Sequence, residues 1–562
     1  MSAETDFPSN GIDSRDLVNR SAWVSVKHGV YHWDLQSCIS QWVDNKGELP
    51  ISQWREEQQA SIIKTGPHRT VYHLKLPEGN FYLKHYRTAD WQARLQNLVR
   101  PTKADLEWQA ARKIAALGLP TIETVAIGRR KQFGFVQDNF LISREIEQVE
   151  PLDQFVLRDF PQMESLPQQI VRRDIAQQLG WMTAILHRNG VLHRDFHPGN
   201  VLLQNNEGRW TLFLIDLHST SWKRRLSIKQ IGENLSLLNN FFARLTSKTD
   251  RLRFLRAYSQ CWNRDQSQSG HLSSETVKRI DEICQRELDK ADLRGDKKWK
   301  RGNRRLIILD SPTNHCRGLA ILGEQYLQQL CEHPEQLFEK PNLIAWQKRE
   351  ATLQRGLVEL RWNGTPQTAI VTAYAKGHHA REAWEMGHAL LRRRLPAPRP
   401  LLFVETPAND WDYLAIEPIP EAVSLHQWLS ERLQSLHASD RRKRIHRVFN
   451  VLAVQLRRLH NHGFDQPTLN LHSFLIQKDE LSPKTWFASL ETLQQPLRVD
   501  GACVRKALAG FLCCVRSAWP VGLTDCLRFL RAYLQADFRR TWKSHWRDVA
   551  RLIVKTSQQE AA

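Results

Sequence analysis

The chain has 562 residues, several times the size of a common domain, which excludes a single small module. Its 41% hydrophobic and 25% charged residues are typical of folded proteins and exclude general disorder. The 80 Lys and Arg outnumber the 60 Asp and Glu, and the net charge of +20 favours an anionic partner. Nucleic acid, an anionic lipid surface and a phosphate-rich ligand all fit that charge.

The ends and the cysteines indicate the compartment. The first residues are acidic and polar, unlike a secretory leader, and no apolar run approaches the roughly 18 residues that span a bilayer. The nine cysteines are scattered without a metal or redox spacing. We therefore expect a cytoplasmic protein with reduced thiols.

The first predicted elements are a hairpin and a helix. Residues 70–87 contain two alternating apolar runs around a turn cluster at 77–80, which predicts a β-hairpin. The spacing of apolar residues predicts a helix over 104–117, which Gly118 ends. The apolar face assigned to this helix comprises Leu106, Ala110, Ile114 and Leu117.

The next predicted elements are a second strand pair, a long helix and another hairpin. A second strand pair is predicted around 125–127 and 140–143, and a long amphipathic helix over 170–187. The apolar stretches 201–203 and 212–215 flank a turn and predict another hairpin. A strand-rich half thus precedes a helix-rich half.

Near-constant sequence offsets indicate an internal repeat. The heptapeptide LRFLRAY occurs at 252–258 and again at 527–533, a separation of 275 residues. Trp108 and Trp384 are 276 residues apart, and similar offsets return elsewhere. Such order favours two copies of one domain over a chance likeness of Leu/Arg-rich helices. The expected organisation is an N-terminal extension over 1–50, one copy over 51–295 and a second copy over 296–562.

The strings HRDFHPGN at 193–200 and IDLH at 215–218 carry the chemistry. Asp195 and Asn200 are spaced as in the kinase signature H-R-D-x-x-x-x-N, and Asp216 follows a predicted strand, as the metal-binding aspartate of D-F-G does. Phosphoryl transfer needs a positioned acceptor hydroxyl, and Mg²⁺ needs hard oxygen ligands beside it. The pattern predicts a phosphotransferase.

Two residues upstream complete the signature. Lys84 lies on a predicted strand and Glu107 on a predicted helix, in the order that a phosphate-binding lysine and its glutamate partner require. Taken singly, each is an ordinary exposed side chain, but together with Asp195 and Asp216 they favour function. The Gly-rich phosphate loop is missing, because residues 64–74 offer only Gly66.

A rival interpretation is a mixed metal cluster in a hydrolase, since imidazole and carboxylate together bind transition metals. It would leave Lys84, Glu107 and Asn200 without a role. Its ligands would be His193, Asp195, His197, Asp216 and His218.

With Lys84 and Glu107 ahead of them, these strings resemble the lipopolysaccharide kinase family, the heptose and Kdo kinases of the protein-kinase-like superfamily. The form Asp216-Leu217-His218, followed by the basic stretch at 222–225, is similar to that of the family. The resemblance covers roughly residues 60–260. It implies a bilobal protein-kinase-like α+β fold, and the internal repeat, which the family does not usually carry, indicates two such domains in tandem, the second degenerate.

The resemblance also implies the cofactors and the acceptor. ATP and Mg²⁺ are expected, with Lys84 on the α/β-phosphates, Glu107 orienting Lys84, and Asn200 and Asp216 holding the metal. Asp195 is the expected catalytic residue and takes the proton of the acceptor hydroxyl. The expected acceptor is a heptose or Kdo hydroxyl of lipopolysaccharide core or a related glycolipid.

The second copy lacks these groups. At the repeat offsets, Asp195, Asn200 and Asp216 correspond to uncharged residues, as do His193 and Lys84. Hydroxyl and amide groups do not replace the lost carboxylates, so residues from about 300 onward are expected to form a pseudokinase domain. The corresponding pairs are Asp195 and Thr468, Asn200 and Ser473, Asp216 and Ser489, His193 and Gln466, and Lys84 and Thr372.

Other acceptors and another class stay open. The string His197-Pro198-Gly199-Asn200 is closer to small-molecule kinases of the aminoglycoside and choline type, and a protein kinase is a further alternative. A non-catalytic basic scaffold for nucleic acid or membrane is the alternative of another class, although nucleic acid is the disfavoured partner. The basic run at 297–305 is either a solvated face or a surface that binds an anionic acceptor at the inner membrane.

Overall fold

A computed structural model of the chain shows two compact units, Met1–Leu288 and Asp289–Ala562, divided within one helix. The residues it describes are 22–88, 100–246, 248–264, 272–375, 379–407, 410–433, 437–477, 483–495, 499–519, 521–535 and 538–560.

The first unit is built on a seven-stranded antiparallel sheet in the order β1-β2-β6-β7-β5-β4-β3. A three-stranded sheet, β11-β10-β8, and the pair β12-β9 follow it. The strands are β1 Trp23–His28, β2 Tyr31–Gln36, β3 Ala60–Thr65, β4 Arg69–Leu76, β5 Gly79–Arg87, β6 Thr124–Gln132, β7 Phe135–Arg144, β8 Val149–Pro151, β9 Val191–His193, β10 Val201–Asn206, β11 Arg209–Leu214 and β12 Thr220–Trp222.

The helices of this unit belong mainly to its second half. They are α1 Ile51–Glu56, α2 Lys103–Ala116, α3 Ser165–Arg188, α4 Ile228–Phe242, α5 Lys248–Asn263 and α6 Ser274–Trp299. Short helical turns occur at Ser37–Trp42, Leu152–Gln154, Phe155–Asp159, Phe160–Gln162, Pro198–Asn200 and Leu217–Ser219.

The predicted elements of the first unit are confirmed. The hairpin over 70–87 is β4 and β5, and the long helix expected over 170–187 is α3. The hairpin around 201–215 is β10 and β11. These elements form because alternating or helically spaced apolar side chains are buried on one face while turn residues break the pattern.

The apolar face assigned to α2 is wrong at one position. Leu106 is 38% exposed, whereas Glu107 beside it is fully buried. The helix begins with a capping box between Thr102 and Asp105, which fixes where its first turn starts. The buried face of α2 contains Ala110 together with Glu107, because that face packs against the polar residues of the candidate active site rather than against a purely apolar core.

Part of the stretch expected as an N-terminal extension belongs to the sheet. The residues before 22 lie outside the described part of the chain, but β1 and β2 form one edge of the seven-stranded sheet. Trp33 on β2 is 1% exposed and its ring stacks on Phe140 of β7 at 5.3 Å between centroids. Burial of such large aromatic side chains contributes strongly to the core of this sheet.

The second unit repeats the plan of the first. Its strands are β13 Leu306–Asp310, β14 His315–Leu319, β15 Leu343–Arg349, β16 Leu353–Trp362, β17 Thr365–Ala375, β18 Pro400–Glu405, β19 Trp411–Ile416, β20 Ala422–Ser424, β21 Phe474–Gln477 and β22 Lys484–Phe487. Its helices are α7 Glu324–Glu332, α8 His379–Arg392, α9 Ala438–Asn461, α10 Gly501–Ala518, α11 Leu523–Leu534 and α12 Phe538–Glu560. Its short helical turns are Ala320–Leu322, Pro334–Phe338, Leu425–Gln427, Trp428–Arg432, Leu471–Ser473 and Leu490–Thr492.

The two sheets share one topology. The second seven-stranded sheet runs β13-β14-β18-β19-β17-β16-β15, and the strands follow one another along the chain as in the first. Backbone hydrogen bonds recur at the repeat offset: Ile215 N donates to Asn200 O at 3.0 Å, and Ala488 N donates to Ser473 O at 2.9 Å. The fold class is therefore α+β, with two kinase-like domains in tandem.

Among the described residues, none of the helices has the length and apolar character that crossing a bilayer requires.

Candidate active site

Strand β5 and helix α2 bring a lysine and a glutamate together. Lys84 Nζ lies 2.6 Å from Glu107 Oε1, and Glu107 is fully buried. Lys84 shares its face of β5 with Tyr86, because side chains two residues apart on a strand point the same way. Tyr86 donates its hydroxyl proton to Glu107 Oε2 at 3.1 Å. Both carboxylate oxygens are thus fixed, one by a cation and one by a neutral donor.

Burial and the neighbouring Glu107 carboxylate raise the pKa of the Tyr86 hydroxyl well above its usual range. Tyr86 therefore stays protonated and remains a hydrogen-bond donor at any physiological pH.

Asp216 follows β11 and lies among three basic side chains. Its Oδ1 is 3.6 Å from Lys84 Nζ, 3.7 Å from an Arg69 Nη and 3.0 Å from His218 Nδ1. Burial alone would raise the pKa of Asp216, but the hydrogen bond to His218 and the charges of Lys84 and Arg69 hold it well below its usual range. The carboxylate is therefore ionised and suited to a metal or to cationic partners.

The loop between β9 and β10 carries Asp195 and Asn200. Asn200 donates from Nδ2 to the Asp195 backbone oxygen at 2.8 Å and to its Oδ2 at 3.3 Å. The Asp195 side chain is 61% exposed. Ile215 N donates to Asn200 O at 3.0 Å, which fastens this loop to the residue before Asp216.

The residues expected to hold a metal fit that purpose. Asp216 supplies an ionised carboxylate, and the Asn200 amide oxygen makes no hydrogen bond among the described residues while its Nδ2 donates to Asp195. A carboxylate and an amide oxygen are the hard ligands that Mg²⁺ prefers.

The rival metal cluster is not assembled. His193 is 1% exposed and its Nε2 lies 3.2 Å from the Ile215 backbone oxygen, and burial lowers its pKa, so the ring is neutral and structural. Within the described part of the chain, one group of three or more metal-capable His, Cys, Asp or Glu residues lies close together, and it comprises Glu107, Asp216 and His218. His197 and Asp195 are outside it.

A buried hydrogen-bond chain supports the loop between β9 and β10 from behind. Asn234 on α4 donates from Nδ2 to the His193 backbone oxygen at 2.7 Å, and His187 Nε2 lies 3.0 Å from Asn234 Oδ1. Since Asn234 Oδ1 can only accept, His187 donates from Nε2 and its Nδ1 accepts from the Tyr258 hydroxyl at 3.0 Å. Burial lowers the pKa of His187 to about 4, in keeping with a neutral ring.

The structure thus brings Lys84, Glu107 and Asp216 into contact and ties Asn200 to Asp195. Sequence reasoning missed Arg69, Tyr86 and Asn234. Tyr86 could have been found, because it stands two residues from Lys84 on the same strand. Arg69 and Asn234 required the register and the packing, which the sequence pattern does not reveal.

A lysine–glutamate pair, a loop aspartate with its asparagine and an ionised aspartate after a strand are the parts of a phosphoryl-transfer site. The first domain is a kinase. The sequence model described as "Lipopolysaccharide kinase (Kdo/WaaP) family" matches residues 52–258. Residues 52–258 are accordingly similar to the lipopolysaccharide kinase (Kdo/WaaP) family.

Individual relatives agree. The chain is similar to lipopolysaccharide core heptose(I) kinase WaaP of Pseudomonas aeruginosa, at 25% identity over 36% of this chain and 78% of that protein. It is 21% identical to the Escherichia coli enzyme of the same name, over 36% of this chain and 78% of that protein.

Among solved structures, WaaP in complex with acyl carrier protein is 21% identical, with a TM-score of 0.35, over 46% of this chain and 98% of that one. The Mycobacterium tuberculosis PknI kinase domain is 13% identical, with a TM-score of 0.24, over 37% of this chain and 95% of that one.

Proposed function

We propose that the first domain transfers the γ-phosphoryl group of ATP to a sugar hydroxyl of lipopolysaccharide core, a heptose or Kdo, or of a related glycolipid. The observation that carries this is the convergence of Lys84, Glu107 and Asp216, with Lys84 Nζ 2.6 Å from Glu107 and 3.6 Å from Asp216. The relatives, which are named as heptose kinases, support a sugar as the acceptor.

Each residue has a task in this proposal. Lys84, held by Glu107, binds the α/β-phosphates, and Asp195 orients the acceptor hydroxyl and takes its proton. Asn200 and Asp216 would hold Mg²⁺, which when bound would neutralise charge on the phosphates. The exposed position of Asp195 supports its role, because the carboxylate reaches a large acceptor without rearrangement.

We propose that the second domain is degenerate. Thr372 occupies the strand position of Lys84 and accepts a hydrogen bond from Arg355 Nε at 3.0 Å, and it is 3% exposed. Gln466, at the place of His193, is 1% exposed and donates to Thr492 Oγ1 at 3.1 Å. Both uncharged side chains are buried and hydrogen-bonded within the domain, which supports a structural role for it.

The positive charge supports an acceptor at an anionic surface. We propose that residues 297–305 contact lipopolysaccharide or the inner membrane peripherally, with six Lys and Arg in nine residues. Among these, Lys300 Nζ pairs with Glu385 at 2.7 Å, and the other five cations form no ion pair with any residue that the structure describes.

An assay with γ-labelled ATP identifies the acceptor. The full chain is incubated with Mg²⁺ and γ-labelled ATP against extracted lipopolysaccharide, aminoglycosides and a protein mixture. We expect label on lipopolysaccharide, and Asp195→Ala to abolish it, because general base catalysis contributes about 10²–10⁴-fold in rate. Thr468→Ala, the matched change in the second domain, is expected to leave the rate unchanged.

The other outcomes of this assay would contradict parts of the proposal. Label on an aminoglycoside or on protein would replace the sugar of lipopolysaccharide by that acceptor. Full activity in Asp195→Ala would remove the role given to this loop.

A further inference from the structure

The turn between β3 and β4 has few backbone donors to offer a phosphate. In kinases a glycine-rich loop at this place covers the nucleotide phosphates with its backbone N–H groups. Here Gly66 N donates to Arg69 O at 2.9 Å, and Pro67 has no N–H. The turn is a tight hairpin, with Thr65 paired to Thr70, so it has no slack to fold over a triphosphate.

The side chain that leaves this turn points its charge at the site. An Arg69 Nη lies 3.7 Å from Asp216 Oδ1, the same oxygen that lies 3.6 Å from Lys84 Nζ. At 3.7 Å the contact is an ion pair and longer than a hydrogen bond. The Arg69 guanidinium makes no side-chain hydrogen bond among the described residues, although the side chain is only 28% exposed. A half-buried guanidinium with unused donors is a ready site for an anion.

We propose that Arg69 takes the place of the missing backbone cradle and binds the terminal phosphates of the nucleotide through its guanidinium. A planar guanidinium offers paired N–H donors that match phosphate oxygens, and charge-assisted bonds of this kind are stronger than neutral ones. This inference rests on the proposed function, since it assigns a phosphate contact within the same nucleotide site.

The second domain supplies an internal comparison. Arg69 is the register partner of Tyr86, and in the second domain Leu353 is the register partner of Tyr374. The cation at this position is therefore absent from the copy that also lacks the counterpart of Lys84. A role in folding the hairpin would have retained Arg69 in both copies, whereas a role toward phosphate is needed in one.

The test is a calorimetric titration of the full chain with ATP and, separately, with adenosine. We expect Arg69→Met to weaken ATP binding roughly tenfold or more, the loss expected for charge-assisted hydrogen bonds, and to leave adenosine binding unchanged. Arg69→Lys should retain part of the affinity. Lys75→Met, an exposed cation on the same strand, is the matched control for charge and is expected to bind ATP as the parent does.

A second background separates direct contact from an effect through Asp216. If Arg69 only balances the charge of the Asp216 carboxylate, Arg69→Met should cause no loss of ATP affinity in a chain that already carries Asp216→Asn. We expect the tenfold loss for ATP to persist in Asp216→Asn, measured without Mg²⁺ so that the metal does not enter. Disappearance of the loss in this background would overturn the inference.

The remaining outcomes distinguish this inference from the proposed function. Unchanged ATP affinity in Arg69→Met, in a parent that binds ATP and phosphorylates its acceptor, overturns the role of Arg69 alone. A parent that binds no nucleotide overturns both. Equal losses for ATP and adenosine would show damage to the fold and would also overturn it, since a phosphate contact cannot act on adenosine.

Discussion

The Lys84–Glu107 pair provides a test that separates stability from chemistry. Lys84→Met removes the cation and leaves the Glu107 carboxylate, which is fully buried, with one hydrogen bond from Tyr86. Leaving such a charge unpaired costs about 3–5 kcal/mol of unfolding free energy. For a domain of this size each kcal/mol lowers the midpoint of thermal unfolding by roughly 2–4 °C, so a fall of several degrees to well over ten is expected.

The partner variant and the double variant sharpen the expectation. Glu107→Gln keeps the shape and one acceptor oxygen for Lys84, the Tyr86 hydroxyl can accept from the new amide NH2, and Lys84 keeps Asp216 at 3.6 Å, so a smaller loss is expected. Combining Lys84→Met with Glu107→Gln removes both charges and should recover stability relative to Lys84→Met, a coupling of about 1–3 kcal/mol. The double variant should stay inactive, since it lacks Lys84, to which we assign the binding of phosphate in the proposed function.

Scanning calorimetry of the full chain measures these changes. The transition of the first domain is the one that moves upward when ATP and Mg²⁺ are added to the parent, because a ligand of the native state stabilises it. Lys75→Met serves as the exposed-lysine control and should not move. A Lys84→Met variant as stable as the parent, or a double variant no more stable than Lys84→Met, would refute the buried ion pair as described.

Three further predictions follow from the site and the surface. Asp216→Asn should weaken ATP binding with Mg²⁺ far more than with a chelator, as titration calorimetry would show, since the carboxylate is the charged ligand that we propose for the metal; equal losses would contradict this. Because burial lowers the pKa of His187 to about 4, the unfolded chain takes up a proton there near pH 6.5 while the native chain does not, so stability should fall between about pH 6.5 and 4. Denaturation midpoints that stay flat over that range would be inconsistent with it. Replacing the cations of residues 297–305 by glutamine should weaken sedimentation with anionic vesicles, by about 1 kcal/mol for each cation at the surface, and leave neutral vesicles unaffected; unchanged binding would assign the surface no such role.

The sequence predicted those elements whose formation is determined by a single local pattern of residues. The hairpin of β4 and β5 and the long helix α3 have clear periods and clear turn residues, so their existence follows from local chemistry. Leu106 was assigned to the wrong side of α2, because the buried face of that helix carries the charged Glu107 and hydrophobicity alone misleads there. β1 and β2 were not predicted: they pair with each other as a local hairpin, and β2 joins the sheet through β6, which is remote in sequence.

The residues of the candidate site likewise fall into those that the sequence predicts and those that it does not. Asp195, Asn200 and Asp216 are found by spacing, because each sits at a fixed distance along one or two strings of the chain. Tyr86 follows from the two-residue period of β5, whereas Arg69 depends on which strand lies beside which, and Asn234 on how α4 packs under the loop. Register and packing are properties of the assembled sheet and are absent from any local pattern.

The two copies show which features belong to the fold and which to the chemistry. Asp216 has a left-handed backbone with φ of 59°, which is costly for a residue with a Cβ. At the repeat position Ser489 has φ of −83°, although the flanking backbone hydrogen bonds recur. The strained backbone is thus not required by the shared topology. It occurs where a carboxylate lies between Lys84 and Arg69 and is relaxed where these charges are gone, which is the distribution expected if the strain serves to aim that carboxylate into the nucleotide site.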